Sequence, residues 1–310
     1  MSIVLRLQER PTVNPVRAHR FSRLGKTGSR VRLAAGVLGS LALFPLVVVQ
    51  GTATRRRMPS LSAAKPPHRG FFPGAGPSLR ILAIGDSSVS GVGVARGDET
   101  VSATTARALA RLTGRPVAWR AVGLSGATVS KAMDELVPRL VSEPADLLIV
   151  AFGVNDAVAY RSPSAFVNDL AALVIAARGC VGNAAVVIAG VAPLAFFPGL
   201  PWPLRTILGW RCAALQASAE RLSGLLARLV VERFSEMFVP ELFASDGFHP
   251  NGRAHALWGE EIAALALPLL ADGAKPVALS VRDRTLVCRT ALVRGAAAIT
   301  PKDTRNCAVS

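Results

Sequence analysis

The stretch ILAIGDSSVSGVG, residues 81–93, is an apolar run that ends abruptly at Gly-Asp-Ser. The residues up to Gly85 have the length and continuity of a buried strand. A small turn residue, a carboxylate and two hydroxyls follow directly. Because ligands of parallel α/β sheets collect outside the carboxyl ends of the strands, this segment predicts both the fold and the place of the chemistry.

Downstream of this strand, apolar runs of strand length alternate with longer stretches of helical character. Continuous apolar runs such as LLIVAF (147–152) suit parallel strands that are covered on both faces. The alternation predicts a doubly wound α/β domain. The predicted strands lie near residues 80–85, 117–122, 146–152 and 185–191, and the predicted helices near 99–113, 128–141, 164–178, 205–230 and 252–270.

Polar residues follow three of these strands directly. The first strand ends at Gly85-Asp86-Ser87, the second leads into GLSGAT (123–128), and the third into GVND (153–156). A fourth polar group, DGFHP (246–250), precedes the last predicted helix. All four groups are therefore expected at one edge of the sheet.

The residue types in these loops suit nucleophilic catalysis. A serine nucleophile needs a base within hydrogen-bond reach and a third group that orients the base. Two of the four histidines lie in the tails. His255 lies six positions after His249, roughly 240° further around a helix, and is expected to face elsewhere. This leaves His249 as the base for Ser87, with Asp246 placed to bind its other ring nitrogen.

Acyl transfer also requires donors that face the developing oxyanion. The Gly126 amide and the Asn155 side chain, at the ends of neighbouring strands, can supply them together with the Ser87 amide. The simpler alternatives are that Ser87 is a turn residue or a helix cap. Asp86 is interpreted as a turn residue without a chemical role.

The blocks IGDSSVSGVG, GLSGAT, FGVNDA and DGFHPNGRAHALWGEEIA resemble the four signature blocks of the SGNH, or GDSL-like, hydrolase superfamily of lipases and esterases. The resemblance covers about residues 79–272, in the right order. The GDSL tetrad is Gly-Asp-Ser-Ser here, a departure that keeps the serine. The resemblance implies a flavodoxin-like three-layer α/β/α sandwich with a parallel sheet, and no metal or organic cofactor.

By match to these motifs, Ser87 is the nucleophile, His249 the general base and Asp246 the residue that orients it. Gly126 and Asn155 complete the oxyanion hole with the Ser87 backbone. The implied function is hydrolysis of carboxylic esters through an acyl-enzyme. The alternatives are an acyltransferase that uses the same nucleophile, and a non-catalytic protein that binds lipid or glycan on the same fold.

The segment APLAFFPGLPWPLRTILGW, residues 192–210, bears on the substrate. It follows the fourth predicted strand and is expected near the same edge. Its aromatic residues Phe196, Phe197 and Trp202 are candidates for lining an acyl pocket or touching a membrane, and ordinary packing is the alternative. The expected substrate is a small-molecule or lipid ester.

The excess positive charge of the chain lies in its tails. The formal net charge is +16, yet residues 79–272 carry 16 basic and 17 acidic side chains. Residues 1–78 carry 13 basic and 1 acidic, and residues 273–310 carry 7 and 2. A nucleic-acid enzyme usually has a basic face on its folded domain, so no nucleic-acid partner is expected.

Residues 33–49, LAAGVLGSLALFPLVVV, contain no charged side chain and are bounded by arginines. Their number is at the lower limit for a helix that spans a bilayer. We interpret them as an uncleaved membrane anchor, with the basic lead inside and the domain outside the cytoplasm. The alternatives are a signal peptide that releases a secreted protein, a buried helix, and a soluble chain that starts at Met58.

Composition divides the chain into five predicted segments. No internal repeat is visible, and neither the oligomeric state nor the role of the tail follows from the sequence. The segments are a basic N-terminal segment (1–32), a transmembrane anchor or signal segment (33–50), a Pro/Gly-rich basic linker (51–78), the hydrolase domain (79–272) and a basic C-terminal tail (273–310).

Two further patterns give no cofactor site. GVGVARG (91–97) resembles a dinucleotide-binding loop, but six residues separate its first glycine from the strand end at Gly85. It is interpreted as a rim of the site. The four cysteines show no C-x-x-C spacing and no adjacent histidine, which argues against structural zinc.

Overall fold

The computed structural model describes residues 44–140, 144–234 and 238–271. Everything described from Pro45 onward belongs to one compact unit. The predicted segments 1–32 and 273–310, and most of the anchor at 33–50, lie outside the described residues.

A six-stranded sheet forms the centre of this unit, in the order β1-β3-β2-β4-β5-β6. Strand β1 at the edge runs antiparallel to β3, and all other neighbours are parallel. The strands are β1 (Arg69–Phe72), β2 (Leu79–Gly85), β3 (Val117–Gly123), β4 (Leu147–Ala151), β5 (Ala185–Ile188) and β6 (Leu229–Val231).

Helices cover both faces of the sheet. α2 and α7 pack on one face, and α3, α5 and α6 pack on the other, so that two separate hydrophobic layers form. The helices are α1 (Phe44–Arg57), α2 (Val101–Thr113), α3 (Val129–Glu135), α4 (Val154–Val158), α5 (Pro163–Val181), α6 (Leu204–Ala219) and α7 (Gly252–Ala271).

The strands are apolar on both sides because each side faces a layer of helices. In β2, Leu82 and Ile84 pack into one layer, while Ile81 and Ala83 pack into the other. Every residue of β4 is buried. The prediction of an α/β fold with a mostly parallel sheet is confirmed.

Two strands differ from the sequence prediction. β1 lies inside the segment predicted to be a linker, and its pairing with β3 extends the sheet by one edge strand. β6 lies at the end of the predicted helix 205–230, which in fact ends at Ala219. Both strands are only three or four residues long, so their pairing partners, rather than their own patterns, determine them.

The N-terminal helix α1 includes only the last residues of the predicted anchor. It contacts the rest of the unit through Gln50, whose amide nitrogen donates to the Trp202 carbonyl at 3.3 Å and whose oxygen accepts from the Leu204 amide at 3.3 Å. Among the described helices, α5 alone is long and apolar enough to cross a membrane. One face of α5 is buried in the core.

A buried carboxylate, Glu232, directly follows β6. One of its oxygens accepts hydrogen bonds from the Gly190 amide at 3.1 Å and from the Trp258 indole at 2.9 Å. Its other oxygen has no hydrogen-bond partner among the described residues. Burial raises the pKa of Glu232 to about 7, although these two bonds act in the opposite direction.

Replacing Glu232 by glutamine is expected to remove part of the pH dependence of stability. The folded state keeps the proton up to about pH 7, whereas the unfolded state releases it near the ordinary glutamate value of 4.5. Wild-type stability therefore falls as the pH rises through this window, by at most about 3 kcal/mol from this group. The free energy of unfolding of Glu232→Gln minus that of wild type should increase between pH 5 and pH 8.

Urea unfolding at the two pH values measures this difference in the free energy of unfolding. The contributions of all other titrating groups are the same in both proteins and cancel in the difference. Glu241→Gln is the matched control, because Glu241 is exposed. A difference for Glu232→Gln that stays constant with pH would contradict the assignment.

Candidate active site

The carboxyl ends of three adjacent strands bring the predicted loops together. Gly85 at the end of β2 pairs with Gly123 of β3 on one side and with Ala151 of β4 on the other. A side chain at Gly85 would lie 2.7 Å from the Ala151 carbonyl oxygen. The glycine thus lets the chain turn closely over the sheet edge and places Ser87 above it.

Ser87 and His249 meet although they are far apart in the chain. The Ser87 Oγ lies 3.1 Å from the His249 Nε2. Ser87 follows β2, and His249 precedes α7, so the packing of α7 on the sheet sets this distance. Both side chains are partly exposed, which leaves the hydroxyl open to a substrate.

The opposite ring nitrogen of His249 contacts a buried carboxylate. Its Nδ1 lies 2.6 Å from the Asp246 Oδ2, and the Asp246 Oδ1 accepts from the amides of Phe248 and His249 at 2.9 and 3.0 Å. Burial acts to raise the pKa of Asp246, but these hydrogen bonds outweigh it and lower the pKa overall. Asp246 is therefore an ionised acceptor that fixes the orientation of the imidazole.

The Asp246–His249 turn is supported by the aromatic segment predicted to bear on the substrate. The Gly199 amide donates to the Gly247 carbonyl at 2.9 Å. A side chain at Gly199 would lie 2.5 Å from the Asp246 carbonyl oxygen. On the other side, Gly93 of the GVGVARG stretch lies against the Pro250 backbone. The catalytic turn is thus held between two glycine contacts.

Replacing Gly199 by alanine is expected to lower kcat/KM for ester hydrolysis by about tenfold to a hundredfold. The new methyl group would push against the Asp246 backbone, and a displacement of about 1 Å at a catalytic group can cost that much. Steady-state kinetics measure the effect. Gly179→Ala is the control, since Gly179 lies on α5 with open space around it, and it should leave the rate unchanged. Equal rates for all three proteins would show that the contact is unimportant.

The Asn155 amide lies between two acceptors. Its Nδ2 is 3.0 Å from the Asp86 Oδ2 and 3.1 Å from the Ala127 carbonyl oxygen. An inverted amide would place its oxygen against both acceptors, so the orientation is fixed. Asn155 lies in the first turn of α4, Asp86 follows β2, and Ala127 lies in the loop after β3. This amide therefore ties three of the four loops together.

Asp86 has contacts that a simple turn residue lacks, so the interpretation made from the sequence is incomplete. It is buried, and its Oδ1 accepts from both the amide and the hydroxyl of Ser88 at 3.0 Å. Its Oδ2 accepts from Asn155. Burial raises the pKa of Asp86, against the effect of these hydrogen bonds. Its position before the serine was visible in the sequence, but its partner was not.

A second buried carboxylate, Asp156, supports the same loops. It accepts a hydrogen bond from the Val129 amide at 3.1 Å, at the start of α3. Burial raises its pKa to about 6. Sequence analysis included Asp156 in the GVND loop without assigning it a role. Its contact connects the loop after β4 to the loop that carries Gly126.

Other predicted candidates are less closely involved. Gly126 lies in an exposed position after β3 with a φ of 77°, a conformation that favours glycine. Phe197 is buried and packs edge-on against Phe248, with ring centres 5.2 Å apart. Phe196 and Trp202 are exposed. Phe197 is thus a packing residue beneath the catalytic turn.

The remaining titratable candidates lie outside this arrangement. His255 is fully buried, and its Nδ1 accepts from the Val101 amide at 3.1 Å. Burial, with a smaller effect of His249, lowers its pKa to about 4. Within the described ranges, no group of three or more His, Cys, Asp or Glu side chains is arranged to hold a metal ion.

The order and content of these loops correspond to a known family. Residues 83–257 match the GDSL-like Lipase/Acylhydrolase family, which is more than half of the chain. The chain belongs to this family. The resemblance noted in the four sequence blocks is confirmed, and with it the SGNH hydrolase-like fold.

One relative within this family is the GDSL-like esterase Rv1075c of Mycobacterium tuberculosis (strain ATCC 25618 / H37Rv). The alignment extends over 257 residues with 32% identity, and the match covers 74% of this chain and 80% of the relative. Among solved structures, the lipase Lip_vut3 from a goat rumen metagenome covers 60% of this chain and 97% of its own, with 16% identity and a TM-score of 0.50. A Clostridium thermocellum family 3 carbohydrate esterase covers 63% and 98%, with 15% identity and a TM-score of 0.48. Membership of the family indicates a hydrolase that acts on esters.

Proposed function

We propose that this family member is a serine esterase that cleaves carboxylic esters through an acyl-enzyme on Ser87. The observation that carries the proposal is the continuous contact from the Ser87 hydroxyl to the His249 ring and on to the Asp246 carboxylate, at 3.1 and 2.6 Å. This is the geometry that activates a hydroxyl at neutral pH.

In the first step, the Ser87 Oγ attacks the ester carbonyl carbon while the His249 Nε2 takes its proton. The tetrahedral intermediate then collapses, and the imidazolium returns the proton to the leaving alcohol. The ionised Asp246 stabilises the imidazolium during this step. It also accepts a hydrogen bond from the Nδ1–H of His249, which leaves the Nε2 free to act as the base. The products are an alcohol and the Ser87 ester.

The oxyanion receives hydrogen bonds from the Ser87 and Gly126 amides and from the Asn155 side chain in this proposal. The Asn155 amide already faces two acceptors in the free enzyme, so the oxyanion competes with the Ala127 carbonyl for one of its hydrogens. Asp86 keeps the other hydrogen. An anionic oxygen is the stronger acceptor, which favours the exchange as charge develops in the transition state.

In the second step, water attacks the acyl carbon while the His249 Nε2 takes its proton. The bond from the acyl carbon to the Ser87 Oγ then breaks, the imidazolium returns the proton to the Oγ, and the carboxylic acid leaves. No cofactor takes part in either step.

We further propose that residues 33–50 anchor the enzyme in a membrane with the catalytic domain outside the cytoplasm. The apolar sequence of that segment and the arginines on both sides support this placement.

The test is an assay of the full chain on nitrophenyl esters of graded acyl length, combined with labelling by a fluorophosphonate. We expect turnover of at least one ester and covalent labelling of Ser87 that is identified by peptide mass. Absence of both turnover and labelling would exclude the hydrolase proposal. Labelling without turnover to the free acid would instead favour transfer of the acyl group to an alcohol.

A further inference from the structure

Exposed aromatic side chains are concentrated in one segment of the unit. Phe196, Trp202 and Trp210 are 64%, 72% and 51% exposed. Among the described residues, Phe71 on the edge strand β1 is the other strongly exposed aromatic side chain. We call the surface formed by residues 194–210 the aromatic face. Exposed apolar surface that is concentrated in one segment is typical of an interaction site.

Helix α1 extends this face. The hydrogen bonds of Gln50 hold α1 against Trp202 and Leu204. The neighbouring Val49 is 64% exposed, and Leu46 and Val48 are also exposed. The apolar end of α1 and the aromatic face therefore form adjoining surfaces. Towards the N-terminus, the predicted anchor (33–50) overlaps the first residues of α1.

Helix α1 and the aromatic face both carry positive charge. No Asp or Glu occurs between Asp169 and Glu220, or from the start of α1 up to Asp86. The exposed ionic groups within α1 and the aromatic face are arginines, namely Arg55–Arg57 in the last turn of α1 and Arg205 at the start of α6. This charge distribution complements an anionic surface.

We infer that the aromatic face, together with α1, binds the surface of an anionic phospholipid bilayer. Tryptophan is well suited to this boundary because its ring is apolar and its indole N–H remains hydrated. The arginines reach the headgroups while the aromatic rings enter the acyl boundary. A second copy of the chain would bring the arginines of two such faces together, which disfavours that occupant.

The face borders the catalytic turn. Gly199 in its centre contacts the backbone of Asp246, and Phe197 packs on Phe248 next to His249. Binding of this face would therefore bring the Ser87 hydroxyl close to the bilayer surface. On the basis of the proposed esterase function, the substrate class is an acyl ester carried by a lipid at the interface.

The location of the four tryptophans allows a direct test. Trp119 and Trp258 are buried, at 4% and 8% exposure, and the segment up to residue 118 contains no tryptophan. Quenching by brominated acyl chains therefore reports the aromatic face and not the anchor. The full chain is reconstituted into phosphatidylcholine vesicles with or without phosphatidylglycerol, with brominated or unbrominated acyl chains.

We expect brominated anionic vesicles to remove up to about half of the tryptophan emission, since two of the four tryptophans lie on the face. The double variant Trp202→Phe/Trp210→Phe should lose this quenching while it still binds the vesicles. Replacing Arg55–Arg57 by glutamine should reduce the quenching in anionic vesicles towards the value in pure phosphatidylcholine. Circular dichroism of each variant checks the fold.

Vesicle-bound protein without tryptophan quenching would overturn the inference, because the anchor alone would then hold it. Quenching of the double variant that equals the quenching of the wild type would overturn the inference as well. Concentration-dependent dimers in detergent that bury the two tryptophans would assign the face to a second copy. Turnover of nitrophenyl acetate by the same sample without vesicles tests the esterase proposal separately.

Discussion

Replacing Ser87 by alanine is expected to lower kcat for ester hydrolysis by about 10⁴-fold or more, and adding His249→Ala should lower it little further. The hydroxyl and the imidazole act as one unit, since the base has no function without the proton that it removes. Their 3.1 Å contact is the basis of this expectation. Steady-state kinetics of the two single variants and the double variant on one nitrophenyl ester measure the coupling.

Ser164→Ala is the matched control for this experiment, because the Ser164 hydroxyl is exposed in the first turn of α5 and contacts the Ser162 hydroxyl at 3.2 Å rather than Ser87 or His249. It should retain the full rate. If the losses in the two single variants multiplied in the double variant, the two residues would act independently and the proposed mechanism would be wrong. Substantial activity of Ser87→Ala would identify another nucleophile.

The second large effect is expected at Asn155. Asn155→Ala should lower kcat by about 10²-fold to 10³-fold with little change in KM, because the side chain donates mainly to the charge that forms in the transition state. Asp86→Ala should cause a loss of similar size, because the Asn155 amide would lose the acceptor that holds it in position. Combining both substitutions should add little, since Asp86 acts on the oxyanion through Asn155. A double-mutant cycle on kcat measures this coupling.

Asp86→Asn helps to separate positioning from folding. An asparagine oxygen can still accept one of the hydrogen bonds from Ser88 or Asn155, so an intermediate loss of kcat is expected. Asp98→Ala, at a more exposed carboxylate, is the control. Fully multiplicative losses at Asp86 and Asn155 would show that Asp86 instead acts on the Ser87 turn. Thermal unfolding of each variant shows whether a loss of stability accounts for the loss of rate.

Most of the candidate site could be predicted because its parts are local. Asp246 and His249 are three residues apart in one turn, and their contact needs little more than that turn. Ser87, Gly126 and Asn155 each follow a strand of a parallel sheet, where strand ends lie side by side. Their residue types and their positions after apolar runs are both visible in the sequence.

The exposure of the aromatic segment could not be predicted. Phe196 and Phe197 are adjacent and chemically identical, yet one is 64% and the other 5% exposed. A short turn in the loop directs one ring outwards and the other beneath the catalytic turn. Nothing in a non-periodic, proline-rich stretch indicates which ring is buried.

The sequence by itself determined the α/β class, the approximate positions of the main strands along the chain and the candidate residues at the carboxyl edge of the sheet, because apolar periodicity and residue type act over a few neighbouring positions. Only the tertiary structure decided the short strands β1 and β6, the contact of Asp86 with Asn155 and the outward direction of Phe196 and Trp202. Each of these depends on a partner that is distant in the chain. Such a contact forms and contributes free energy only in the folded chain. It therefore cannot be predicted from the pattern of neighbouring residues.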